Sequence, residues 1–166
     1  MKKKLQKLLK NQKGLTLVEL LAVVVILGII AAIAVPSIAG IIDNSKKDAH
    51  IANAEQMIGA ARLAVAANDV NFTKSTTNGS STYTATLTLS DLTSKGYLEQ
   101  NLEDPDKSGS AYPNTDNSRV VITKTLGNAS KAGEIVYKVA LIGNERSIGS
   151  ATETFLPGDL DRSDVK

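Results

Sequence analysis

From Leu15 to Ile42 the chain runs for 28 residues with one charged side chain, Glu19. A helix of that length, at roughly 1.5 Å per residue, exceeds the roughly 30 Å hydrocarbon thickness of a bilayer. So long an apolar element does not fit inside a domain of the size the remaining residues can build. The run therefore needs a membrane or other copies of itself as its surroundings.

The flanks orient it. Lys2, Lys3, Lys4, Lys7, Lys10 and Lys13 precede residue 15 without an acid among them, and Asp43, Lys46, Lys47 and Asp48 follow the run. The positive-inside bias then predicts a cytoplasmic N-terminus, with the bulk of the chain translocated. Without the six lysines, 13 basic side chains face 17 acidic ones, so the rest of the chain is acidic and bulk attraction to nucleic acid is not expected. No cysteine is present, so a translocated domain must hold together by packing, hydrogen bonds or a metal ion. An ordinary secretory signal shares the basic start and apolar run, and Ala32-Ile33-Ala34 or Ser37-Ile38-Ala39 would serve as its small-residue cleavage site.

Glu19 argues against that simpler reading. An ionisable group in an apolar span costs about 2–3 kcal/mol unless it finds a partner or snorkels to the headgroups. Its neighbourhood, Lys13-Gly14-Leu15-Thr16-Leu17-Val18-Glu19-Leu20-Leu21, resembles the cleavage and methylation site of type IV prepilins and pseudopilins, closely from about Lys10 to Ala39. The resemblance implies that Gly14 ends a cleaved leader, that Leu15 becomes the N-methylated first residue, and that Glu19 is the assembly carboxylate. The family most often places Phe where this chain has Leu15. A glycine before the cut offers no side chain to obstruct a protease, and cutting there removes all six leader lysines at once.

Gly28 and Pro36 interrupt the run, and proline lacks the N–H that would bond the Ala32 carbonyl, so a kink or local melting is expected between them. Beyond Asp43, Ile51, Ala54, Ile58, Ala61 and Val65 recur at spacings of three and four, extending the helix to about Ala67–Asp69. A second face, Ala52, Gly59, Ala60, Leu63 and Ala67, is small enough to admit another helix closely. The expected division is residues 1–14 as leader, 15–42 as membrane or filament-core helix, and 43–166 as an extracytoplasmic domain that includes the outer half of the helix.

Asn68–Thr82 reads as a polar surface loop with a tight turn at Asn78-Gly79. Tyr83, Ala85, Leu87 and Leu89 alternate with threonines as a strand, and Ser90 is placed to cap a short helix ending near Gly96. Arg119–Leu126 and Glu134–Ile142 suggest a hairpin with a longish loop, and Ala151–Leu156 a weaker third strand. The pattern predicts an α+β fold with a small antiparallel sheet packed on the C-terminal half of one long helix, as in the type IV pilin fold that the resemblance implies.

Two groups of acids stand out as metal ligands. Asp104, Asp106, Ser108 and Gly109 resemble the opening of a calcium loop, but Thr115 stands where the bidentate Glu of an EF-hand belongs. Asp159 and Asp161, with Asp164, form the second candidate set, by analogy with pseudopilins that carry calcium in a C-terminal loop. Calcium is thus the one cofactor to consider. The only histidine, His50, is expected on the helix surface, and no nucleophile motif suggests an enzyme.

The sequence therefore points to a structural subunit of a type IV-like pilus or pseudopilus. Its expected partners are further copies of itself, a prepilin peptidase and N-methyltransferase, and a pilus or secretion assembly platform. Its expected place is the cytoplasmic membrane, single-pass with the N-terminus inside, and then an extracellular filament on the cell surface. The alternative is a monomeric signal-anchored or secreted binding module.

Overall fold

The computed structural model describes residues 2–77, 80–99, 102–113, 117–127, 132–150 and 152–166, with side chains from residue 17 onward except at 77 and 80. The order is helix α1 (Lys2–Ala66), strands β1 (Thr73–Thr77) and β2 (Ser80–Thr88), helix α2 (Leu89–Ser94), strands β3 (Arg119–Thr125), β4 (Glu134–Ile142) and β5 (Ser147–Ile148), and a 3-10 turn at Pro157–Asp159. The chain divides into two compact units, 1–43 and 44–166.

The first unit consists of α1 residues alone. Its large apolar side chains from Leu17 to Ile42 are 52–72% exposed, with no neighbour in the unit to cover them. The helix begins at Lys2, so the six N-terminal lysines stand within it. It also runs without interruption through Gly28 and Pro36, which corrects the expectation of local melting there. Proline removes one hydrogen bond, and the intact turns on either side keep the neighbouring residues helical.

The second unit is built on the last turns of α1. Of the predicted stripe, Ala54, Ile58 and Ala61 are buried against the sheet and α2, and Ile51 and Val65 are half-buried; Met57 and Ala64, outside that prediction, are buried beside them. The second face is mostly open, with Ala52, Gly59, Leu63 and Ala67 exposed and Ala60 buried. The helix ends on Asn68, whose left-handed φ of 56° lets Asp69 N bond Ala64 O at 3.0 Å and satisfies a last-turn carbonyl. Asp69 then receives Lys95 Nζ at 3.0 Å and the Tyr97 hydroxyl at 3.2 Å, which ties the helix end to α2.

The five strands form one antiparallel sheet in sequence order, β1-β2-β3-β4-β5. Alternation sends Ala85 and Leu87 of β2, Val120 and Ile122 of β3, and Val139 and Leu141 of β4 into the core with Leu89, Leu92, Leu98 and Leu102. This α+β layout is the one expected. Three details differ. The segment read as a loop, Asn68–Thr82, instead contains β1 and the start of β2, because Thr-rich sequence pairs well at a sheet edge although it buries little. Its Asn78-Gly79 turn lies outside the described residues. Helix α2 is capped by Thr88 and Asp91 in a reciprocal capping box, two residues before the predicted Ser90. Ala151–Leu156 is no strand over its described part; Phe155 makes a single bridge with Val139, and the short β5 precedes it.

Candidate functional site

Two places gather chemistry, and each lies within one unit. In the first unit, Gly14 and Leu15 are in α1 with side chains outside the described residues. Glu19 is exposed among Leu17, Val18, Leu20 and Leu21, and it makes no hydrogen bond or ion pair with any described group. The helix is long and apolar enough to cross a membrane by length and composition. Chemically the described part of this segment is an uncovered apolar rod carrying one exposed carboxylate, Glu19.

The second place is a buried polar cluster, built on three elements. A loop from Leu102 to Tyr112 closes on itself through Tyr112 N to Leu102 O, Asp104 N to Ser110 O and Lys107 N to Asp104 O, with Gly109 at φ 72° turning the chain. Asp104 Oδ1 accepts the Asp106 amide at 2.9 Å, so the two carboxyls on either side of Pro105 point into the same space. Helix α1 contributes Lys46, His50 and Asn53, which share one face by their spacing. The turn between β4 and β5 contributes Asn144 and Arg146.

The contacts leave every described partner satisfied. His50 Nε2–H donates to Asp106 Oδ2 at 3.0 Å and its Nδ1 accepts the Tyr112 hydroxyl at 2.6 Å, which assigns the tautomer. Tyr112 in turn accepts Asn53 Nδ2 at 3.3 Å, and Asn53 also donates to the Glu103 carbonyl at 3.0 Å. Asp104 Oδ2 takes both the backbone amide and the side-chain amide of Asn144, at 2.7 and 2.8 Å. Asp106 Oδ1 takes Arg146 Nη1 at 2.8 Å and has Lys46 Nζ at 3.5 Å. No buried side-chain nitrogen or oxygen among the described residues lacks a partner.

These contacts set the electrostatics. Burial alone would raise the Asp104 carboxyl, but the backbone and side-chain amides of Asn144 and the backbone amide of Asp106 outweigh it and hold the group below its ordinary value. Burial pushes the Tyr112 phenol well above its ordinary value; the Asn53 bond opposes this, and the charges of Asp104 and Asp106 reinforce it. Both aspartate side chains are fully buried; the two cations, Arg146 and Lys46, meet Asp106 from the partly exposed side, while Asp104 is held by the Asn144 amides.

The ligand atoms of His50, Asp104 and Asp106 lie within 4.8 Å of one another, a set whose imidazole suits a transition metal better than calcium. Yet their hydrogen-bonding capacity and charge are already met by protein groups. These contacts tie α1 to the 102–112 loop and the β4–β5 turn. Asp159 and Asp161 do not join it: Asp161 Oδ1 turns back onto the Ser163 amide at 2.6 Å and hydroxyl at 2.5 Å, and Asp159 closes the 3-10 turn.

Sequence reading singled out Asp104 and Asp106 but put His50 on the surface, and the structure corrects this: His50 is fully buried. The signal was present. Continuing the buried stripe Ala61, Met57 and Ala54 back by one more turn lands on His50. Asn144 and Arg146 carried no comparable sign.

Residues 9–35 match the prokaryotic N-terminal methylation motif, characteristic of type IV prepilins and type II secretion pseudopilins. The match takes in Gly14, Leu15, Glu19 and Gly28 and ends one residue before Pro36. No curated protein and no solved structure gives a significant match to the chain.

Proposed function

We propose that the chain is a filament subunit, a pilin or pseudopilin, cut between Gly14 and Leu15, methylated on Leu15 and assembled through its N-terminal helix. The observation that carries this reading is the methylation motif lying on a helix whose large apolar side chains from Leu17 to Ile42 are exposed, in a chain whose second unit already has its own core. Before assembly the rod resides in the cytoplasmic membrane, and afterwards neighbouring copies supply its cover. Glu19 gains a partner when an incoming subunit brings a newly freed α-amino group of Leu15 within reach, so correct docking is favoured over slipped arrangements. The working partners are a prepilin peptidase with N-methyltransferase activity, an assembly platform and further copies of the chain. A catalytic role has no support from either unit.

The test is to shear cells, image the released material and sequence the N-terminus of the subunit. Filaments containing a chain that begins at Leu15 are expected. Glu19→Ala is expected to insert and be cleaved normally, since it makes the span more apolar, while filament yield falls sharply. Wild-type yield at equal expression would remove the assembly role and leave a signal-anchored module as the better reading.

A further inference from the structure

On its core-facing side the sheet extends past the row of Ala85, Ile122 and Tyr137 to a further row that leaves the core. Lys74 stands opposite Tyr83, Tyr83 opposite Lys124, and Lys124 opposite Ile135, and alternation keeps all four on that one side. Lys74, Lys124 and Ile135 are exposed and Tyr83 is half-buried. Phe72, Tyr83, Lys124 and Leu126 line one cavity of about 260 Å³. Neither lysine makes a hydrogen bond or ion pair with any described group. Two nearby acids do not balance them: Asp69 is held by Lys95 and Tyr97, and Glu134 lies on the opposite face, across from Thr125. One row further in, Arg62 stands over the Tyr137 ring at 5.4 Å and adds a third cation. Cations and aromatic rings thus gather at one end of a domain whose overall balance is acidic.

We propose that this row binds single-stranded nucleic acid, with a base stacked on Tyr83 and the phosphates on either side of that base meeting Lys74 and Lys124. The occupant follows from the order of the row. In a single strand each planar base stands between two phosphates, and here one aromatic ring stands between two ammonium groups. Neighbouring strands lie about 4.8 Å apart, so the two lysine backbones straddle Tyr83 at roughly 10 Å from each other, and their long side chains adjust to the phosphates. Phe72 and Leu126 supply apolar walls beside the stacked base. A duplex keeps its base faces inside the stack, and an acidic polysaccharide offers charge without a planar ring. The overall charge of the domain lends no long-range attraction, so the affinity rests on these few contacts and is weak and salt-sensitive. This role goes beyond the filament-subunit reading and rests on the second unit alone.

The test uses the full chain in non-ionic detergent and a fluorescein-labelled oligothymidine of about 10 nucleotides, followed by fluorescence anisotropy. Saturable binding is expected at low salt, with log K falling against log salt at a slope of about −1.4, as for two single-strand phosphate contacts. Lys74→Ala and Lys124→Ala, both at exposed positions, are each expected to weaken binding and make the slope shallower by about 0.7. Lys138→Ala, exposed on the opposite face of the sheet, is expected to leave binding as it is. Tyr83→Ala is expected to weaken binding at least about fivefold and Tyr83→Phe to retain it, because the ring carries the stacking. The lysine variants decide the matter should Tyr83→Ala fail to fold. An abasic oligonucleotide of the same length is expected to bind far more weakly. No binding at low salt, equal binding of the abasic strand, or equal losses from Lys138→Ala and Lys124→Ala would each overturn the proposal. Equal binding of the abasic strand together with a Lys124-dependent preference for phosphatidylglycerol over phosphatidylcholine micelles would assign the row to an anionic lipid surface instead.

Discussion

At the scale of single residues, the Asp104 carboxyl and the Tyr112 phenol make the second unit's stability depend on pH at both ends. The folded carboxyl sits below its ordinary value of 3.8, so its contribution is complete above that value and is lost as pH falls through the lower folded one. The folded phenol sits above its ordinary value of 10.0, so its contribution is complete below pH 10 and is lost as pH rises beyond it. Thermal unfolding of the full chain in detergent, followed by circular dichroism, should show a melting temperature that falls at both extremes. Asp104→Ala should flatten the acid limb and destabilise the unit by about 2–4 kcal/mol near neutral pH, because it strands the Asn144 amides and the Asp106 amide. Gly143→Ala reaches the same cluster by sterics. A Cβ there would collide with the Arg146 carbonyl and press on Asp104 Oδ2 at 3.2 Å and His50 Cε1 at 3.3 Å. Backbone cannot yield cheaply at that turn, so a loss of about 2 kcal/mol is expected, measurable as a lowered unfolding midpoint.

At the scale of elements, α2 is too short to be stable by propensity, and its existence rests on its ends and its buried face. Thr88 and Asp91 bond each other's amides at 2.9 and 3.0 Å, while Leu89 and Leu92 anchor the helix in the core. Thr88→Ala should therefore cost about 1 kcal/mol, and Thr88→Ser much less, as read from chemical denaturation. Ser90→Ala, at the position sequence reading favoured for the cap, should change little. Helix α1 shows the opposite balance. Its run through Pro36 is sustained by length and apolar composition on both sides, so the missing bond to Ala32 is tolerated without a break. The C-terminal tail is held by packing, with Val165 buried, and by the bidentate pair of Arg162 with Asp48 at 2.7 Å. Deleting residues 162–166 should cost at least about 2 kcal/mol through Val165 alone. Arg162→Ala should have a smaller effect that shrinks as salt is added, since both partners are exposed.

At the scale of the whole molecule, the chain carries one unit that buries its apolar surface and one that leaves it bare, and the division between them follows the sequence. The bare run, its lysine-rich start, Glu19 and the methylation motif are all contiguous in the chain, so local reading was enough to find them. Periodicity likewise identified the buried stripe of α1, because a core-facing helix repeats its pattern every three to four residues. It also located β3 and β4, where β-branched residues alternate. The polar cluster was only half legible. Asp104 and Asp106 advertise a turn through their spacing around Pro105, but what closes on them comes from positions 46–53 and 144–146, brought together only by the packing of α1 and the β4–β5 turn on the 102–112 loop. The charge of a buried carboxylate is tolerable only beside its partners, and those partners are distant in sequence. The same holds for the row of Lys74, Tyr83, Lys124 and Ile135, which comes from four separate strands and exists only once the register sets them side by side. The sequence by itself determined which segment cannot be buried within its own chain, since that depends on composition and order along the chain. Only the tertiary structure decided how the buried charges are neutralised and which side chains stand beside one another on the sheet, because both depend on contacts between residues that the order of the chain keeps far apart.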